Sequence, residues 1–220
     1  MEGIITPMKT IIKKAGKEAY ALAGEFLKEG RTAAFPTDTV YGLGAVYTNE
    51  AAVKKIFEAK GRDEHKPLSI LVSSPDEAYK LSDNISEDAL KLMKAFWPGA
   101  LTVIVKKNAS VPDCVSAGKD TVGIRMPAFE AALEIIKAAQ SPLAAPSANL
   151  SGKRSSAAFE DVYEDLNGRI DMIIDGGRCP GGVSSTVVDI SDGNIEILRE
   201  GRITLAMMEE VLHGWQPPGR

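Results

Sequence analysis

The chain has 220 residues, 44% of them hydrophobic and 25% charged, with 26 Lys and Arg against 30 Asp and Glu for a net charge of −4. This composition excludes a disordered or collagen-like chain and gives room for one large domain or two small ones. It argues against a protein that is basic all over, as nucleic-acid coats tend to be, but leaves space for a local basic pocket.

In the opening MEGIITPMKTIIKKAGKE the lysines follow a short apolar patch and there is no small-residue cleavage site, the reverse of a secretory signal. The longest apolar runs, such as Leu101 to Val105, fall far short of the roughly 20 residues a membrane helix needs, so a cytoplasmic protein with no membrane association is expected. From Lys17 to Glu29 the apolar positions Ala19, Leu22, Ala23, Phe26 and Leu27 form a helical stripe that Gly30 terminates. Thr32 to Phe35 reads as a short strand running into the loop Pro36-Thr37-Asp38-Thr39. A second helix follows Asn49 and ends near Lys60-Gly61, and Leu68 to Val72 has the compactness of a buried strand.

Ser74-Pro75-Asp76-Glu77 combines capping-box spacing with proline at the first helical position, so a helix begins there, and another begins after Ser86 and ends at Trp97-Pro98-Gly99. Strands are expected at Leu101 to Val105, Thr121 to Ile124, Met172 to Ile174, Thr186 to Ile190 and Ile195 to Leu198, where β-branched residues concentrate. Glu130 to Gln140 and about Ser156 to Leu166 read as helices. The break at Asp192-Gly193-Asn194 makes Thr186 to Leu198 an antiparallel hairpin, so the sheet is mixed. There is no repeat or Gly/Ser linker, and one domain is the economical reading. The tail HGWQPPGR has turn residues and no periodicity, the mark of a loose end.

Four groups of residues suit ligand chemistry. The loop Phe35 to Gly44 sets hydroxyls and a tyrosine beside glycines; it is equally well explained as a turn whose Thr and Asp side chains cap backbone groups. Lys60-Gly61-Arg62, with His65 and Lys66 behind, clusters cations that suit phosphates, although Glu58, Asp63 and Glu64 would neutralise a merely solvated turn. Pro146-Ser147-Ala148-Asn149 follows a strand-like segment, where open α/β sheets bind ligands, or is a proline turn with serine caps. Arg125 at a strand end is a fork for a carboxylate or half of a surface ion pair. Cys114 and Cys179 form no CxxC pair, and His65 and His213 join no Cys/His cluster, so neither a disulfide framework nor a dedicated zinc site is expected. With no histidine in an activating context, Ser184-Ser185-Thr186 serve as hydrogen-bonding groups, not nucleophiles.

In order, FPTDTVYGLGA, KGRDEHKPLSILV, FWPGALTVIV, VGIRMP, APSANLSG, GVSSTVVDI and ILREG resemble the YrdC-domain family, the threonylcarbamoyl-adenylate synthases, from Phe35 to Gly201. Each motif alone is weak and the ordered set is specific. The resemblance implies a single-domain α/β fold, a twisted mixed parallel and antiparallel sheet flanked by helices around a deep basic cavity. It also implies a reaction that joins L-threonine, bicarbonate or CO2, and ATP, with Mg2+ on the nucleotide and no metal ligand assigned among the side chains. Downstream transfer proteins would then carry the product's acyl group to tRNA beside the anticodon, with possible tRNA contact by this chain.

By the same resemblance, Thr37, Tyr41, Lys66, Arg125, Ala145 and Ser185 would meet threonine. Lys60, Arg62, Thr121, Ser147, Asn149, Ser155 and Arg199 would hold ATP, and Lys60, Arg62 and Arg125 would act in catalysis. Three positions depart from the family: Asp63 replaces a frequent proline after the KxR arginine, Leu71 stands where some members have histidine, and Glu200 replaces a frequent proline. Longer members append a second domain over the ATP site. The nineteen residues after Gly201 are too few for one, so residues 1–220 are expected to form one catalytic domain with a core at about 13–206 and a loose tail at 214–220. Two other readings remain at this point: a non-catalytic double-stranded RNA or tRNA-binding module, and a YrdC-like paralogue acting on another carbamoyl substrate.

Overall fold

A computed structural model describes residues 9–214. Its strands are β1 (Ile11–Lys14), β2 (Ala33–Phe35), β3 (Gly42–Val46), β4 (Ser69–Leu71), β5 (Leu101–Lys106), β6 (Thr121–Arg125), β7 (Leu143–Ala144), β8 (Met172–Asp175), β9 (Thr186–Asp189) and β10 (Glu196–Arg199). They join in one sheet of order β1-β8-β2-β3-β7-β4-β6-β5-β9-β10. Pairing is parallel for β1 with β8, β8 with β2, β4 with β6 and β5 with β9, and antiparallel for the rest, so the expected mixed sheet is present. The helices are α1 (Lys17–Lys28), α2 (Glu50–Lys60), α3 (Pro75–Tyr79), α4 (Glu87–Phe96), α5 (Asp113–Ser116), α6 (Glu130–Ala139), α7 (Phe159–Leu166) and α8 (Leu205–His213).

Side chains alternate across a strand, and the core follows that alternation on both faces. Ala33, Phe35, Leu71, Met172 and Ile174 pack with α1 and α6 on one face. Ala34, Ile70 and Ile173, one residue out of step, pack with α2, α4 and α7 on the other. Caps start the helices where side-chain oxygens are available: Asn49 Oδ1 accepts from Ala52 N at 3.0 Å and Ser86 Oγ from Ala89 N at 3.2 Å. At α3 the Ser74 hydroxyl caps Glu77 N, while the Glu77 carboxylate reaches past the cap to Ser73 N at 2.6 Å.

Several elements differ from the sequence expectation. Gly42–Val46 is a strand although two glycines lower its β propensity; a Cβ on Gly44 would lie 2.8 Å from the Phe35 ring, which covers this strand. Helix α7 begins at Phe159 and not near Ser156, because Ala158 bridges to Arg178 and the Asp161 carboxylate accepts from Ala158 N at 3.2 Å. Strand β1, beginning at Ile11, and the short helix α5 were not anticipated. Neither was α8, whose Met208 is fully buried and which packs on α4. Of the tail expected to be loose at 214–220, only Gly214 is among the described residues. No helix among the described residues is long and apolar enough to cross a membrane.

Candidate active site

A cavity of about 260 Å³ lies over one face of the sheet's middle strands. Its floor is built by alternation: Ser69 and Leu71 of β4, Gly123 and Arg125 of β6, Thr102 and Ile104 of β5, and Ser185 and Val187 at β9 all project to the same side. Leu71 and Ala145 belong both to this wall and to the core beneath α1 and α6, which anchors the cavity to packed structure.

Of the residues singled out in the sequence, Thr37, Tyr41, Arg62, Arg125, Ala145, Ser147, Ser185 and Arg199 line the cavity. Lys60, Lys66, Thr121, Asn149 and Ser155 do not. Lys60, at the end of α2, is buried and donates from Nζ to the carbonyls of Ser147 and Asn149, thereby bracing the loop that brings Ser147 to the wall. The Asn149 amide donates to the Leu150 and Lys153 carbonyls, so it too faces its own loop. Ser155 supports the wall indirectly, accepting from the Ser184 hydroxyl at 3.1 Å. Lys66 is exposed, and its carbonyl accepts from Arg62 Nε at 3.4 Å. Thr121 pairs with Lys106 at the far end of β6, four residues and therefore about 13 Å along the strand from Arg125.

Three arginines from separate segments converge. Arg125 is buried and ion-paired to Asp38 at 2.5 Å; burial lowers its pKa while Asp38 offsets the shift. Arg199 leans in from an exposed rim position, donating from Nε to the Ser185 carbonyl and from Nη2 to the Ser185 hydroxyl, each at 3.0 Å. Its pKa falls through desolvation of the guanidinium and then through repulsion by Arg125 and Arg62. All three remain cationic near neutrality because the guanidinium starts so high. For Lys60, burial first and Arg62 second lower the pKa to about 8, with Asp165 pulling the other way. Such mutual repulsion around one cavity is relieved by an anion.

Two hydroxyls are already committed. The Tyr41 hydroxyl donates to Gly177 O at 2.9 Å and accepts from Gly176 N at 3.0 Å, so this fully buried residue of the cavity wall ties down the loop after β8 with its oxygen. Thr37 Oγ1 donates to Val40 O at 2.7 Å and accepts from Thr39 N at 3.1 Å. Gly181 packs on this loop so closely that a Cβ would lie 2.4 Å from Asp38 O.

At the departures from the family pattern, Asp63 turns its carboxylate to His65, accepting from N and Nδ1 at 2.9 Å each, Leu71 forms an apolar wall, and Glu200 is exposed. Sequence reasoning missed Ser69 and Thr102 as wall residues and Asp38 and Thr39 as partners of Arg125. A signal existed for Thr102, a hydroxyl interrupting the apolar run Leu101 to Val105. Among the described residues no group of three or more His, Cys, Asp or Glu side chains is placed to hold a metal ion.

Residues 25–201 match the Sua5/YciO/YrdC family model, whose description reads "Telomere recombination". The chain is 47% identical over 191 residues to a threonylcarbamoyl-AMP synthase of Pyrococcus abyssi and 48% identical over 194 residues to one of Bacillus subtilis. Each alignment covers 87% of this chain and 56% of the relative. The structure of P. abyssi Sua5 complexed with L-threonine superposes with a TM-score of 0.88 at 44% identity, over 94% of this chain and 61% of that one. The chain therefore spans a little over half the length of these relatives. With a family model covering most of its length and a shared fold, the chain belongs to the Sua5/YciO/YrdC family.

Proposed function

We propose that this chain is an L-threonylcarbamoyladenylate synthase, making threonylcarbamoyl-AMP and pyrophosphate from L-threonine, bicarbonate or CO2, and ATP. The product would serve threonylcarbamoyladenosine formation in tRNA next to the anticodon, through downstream transfer proteins in the cytoplasm. The observation that carries the reading is the convergence of Arg62, Arg125 and Arg199 on one hydroxyl-lined cavity in a chain of net charge −4. The activity named for the relatives, and the threonine held by P. abyssi Sua5, supply the substrate class.

The chemistry asks for position and charge more than for a nucleophilic side chain. The amine of threonine adds to CO2 and releases a proton, giving a carbamate; a carbamate oxygen attacks the α-phosphorus and pyrophosphate leaves. Holding the reactants in one orientation and neutralising the phosphates then lowers the barrier. Arg125 takes the threonine carboxylate, with Ala145 and Tyr41 in the wall beside it and Ser185 as a hydroxyl contact. Arg62 and Arg199 meet the nucleotide at the rim, beside Ser147. Lys60 has three N–H donors and uses two on carbonyls, which leaves a third for a phosphate oxygen once movement on binding brings it past the wall it stands behind. Asn149, Ser155, Lys66 and Thr121 stand outside the wall, so their contact to substrates requires movement on binding. Mg2+ would arrive with the nucleotide as part of the substrate and would supply neutralisation of phosphate charge, with no side chain assigned to it. Residues 9–214 would act as one catalytic unit.

Pyrophosphate release by the purified protein tests the reading. Release that requires threonine, bicarbonate and ATP together is expected; release indifferent to threonine, or absent from folded protein, would overturn it.

A further inference from the structure

We infer that Asp38 and Thr39 are positioning residues for carboxylate recognition, holding the Arg125 guanidinium so that two of its N–H groups remain for a substrate carboxylate in the cavity. The inference rests on the threonine reading above and adds two residues to it.

A guanidinium has five N–H groups. In Arg125, Nε donates to Gly99 O at 2.9 Å, Nη1 to Thr39 Oγ1 at 2.9 Å and Nη2 to Asp38 Oδ1 at 2.5 Å. Each of these atoms makes one bond to the described residues, which leaves one N–H on Nη1 and one on Nη2. A carboxylate bound in the bidentate manner takes two.

The direction of the bond network is forced. A threonine hydroxyl has one proton, and that of Thr37 is donated to Val40 O. The 3.0 Å bond between Thr37 and Thr39 is therefore donated by Thr39. Thr39 Oγ1 then offers Arg125 only lone pairs, giving a one-way series from Arg125 to Thr39 to Thr37 to the Val40 carbonyl. Because Thr39 is fully buried, water does not substitute for this acceptor.

Asp38 is fixed in turn by Ala128 N, which donates to Oδ1 at 3.1 Å. Its charge also keeps Arg125 from standing buried and unpaired when the cavity is empty. The pair thus sets orientation before substrate arrives, which reduces the ordering cost of binding.

Calorimetry with L-threonine alone, alongside steady-state kinetics, tests this. Thr39→Val keeps the shape and removes the acceptor, and should weaken threonine binding and raise its KM about tenfold or more, on the scale of one hydrogen bond to a charged group. The effect on kcat and on the KM for ATP should be far smaller. Thr39→Ser should restore binding, and Asp38→Asn, which keeps an acceptor oxygen, should bind better than Asp38→Ala. L-Threoninamide, which lacks the carboxylate, should bind wild type and Thr39→Val alike.

Unchanged threonine affinity in Thr39→Val, or an equal loss for threonine and threoninamide, would overturn the inference while leaving the synthase reading intact if wild type turns over. Wild type that loses threonine affinity on Thr39→Val but releases no pyrophosphate would overturn the synthase reading alone. Wild type that binds no threonine would overturn both.

Discussion

Lys60 and Arg125 are the residues whose surroundings say most about what the cavity does. Lys60 carries its ammonium among the carbonyls of Ser147 and Asn149, with a pKa lowered to about 8 chiefly by burial. Below that pH it is a cation; as pH rises through 8 the folded protein loses the proton, while an unfolded lysine keeps it until about 10.4. The unfolded state then binds more protons, so this group's contribution to stability rises with pH between those values, as the cost of a buried charge is removed. Activity should move the other way: kcat/KM for ATP, which reports the free enzyme, should fall above about pH 8, and a Lys60→Arg variant should lose that fall. A profile flat through pH 9 in wild type would count against phosphate binding by Lys60. For Arg125, replacement by alanine removes two charge-assisted bonds to the ligand and strands Asp38, so the KM for threonine should rise on the order of 100-fold with a smaller change in that for ATP. At this scale the sequence was only partly readable. Residue type pointed to Arg125 as a carboxylate fork, but hydrogen-bond occupancy is a property of three dimensions. The reading of the Phe35 to Gly44 loop as a turn whose Thr and Asp side chains cap backbone groups holds for Thr37, whose proton goes to Val40 O, and for Asp38, which accepts from Ala128 N, although residue type alone left it level with ligand contact.

Elements with a strong local pattern were legible, and those made by distant contacts were not. Helices α1, α2, α4 and α6 and strands β5, β6, β8 and β9 lie close to where periodicity and caps place them. Strand β3 escaped because its two glycines lower strand propensity, although Gly44 is there to admit the Phe35 ring, and α8 escaped because its burial comes from α4. The α1–α6 seam offers a test of the packing: Ile135 is fully buried, and Ile135→Ala should cost about 2–5 kcal/mol in urea unfolding. Gly181 tests how one segment positions another. An added methyl would press on Asp38 O, so Gly181→Ala should shift the loop from Pro36 to Val40, destabilise by about 1–3 kcal/mol and weaken threonine binding with it. A variant with wild-type affinity would show that the loop's placement tolerates displacement.

On the scale of the whole molecule, a net charge of −4 coexists with a cavity into which Arg62, Arg125 and Arg199 converge. Charge totals cannot show this, because the three arginines are far apart in sequence and meet only through the sheet. The strand order β1-β8-β2-β3-β7-β4-β6-β5-β9-β10 was likewise beyond a linear reading: β8 inserts between β1 and β2 from well over a hundred residues away. Ordered motifs nevertheless carried the family, since each marks a place where backbone or side chain meets the same cavity. The central claim is that this cavity joins three substrates into one adenylate. Mass spectrometry of the nucleotide formed from ATP, L-threonine and 13C-labelled bicarbonate tests it most directly. A mixed anhydride of AMP carrying both threonine and the labelled carbon supports the account, whereas an adenylate without the label, or none from folded, threonine-binding protein, contradicts it.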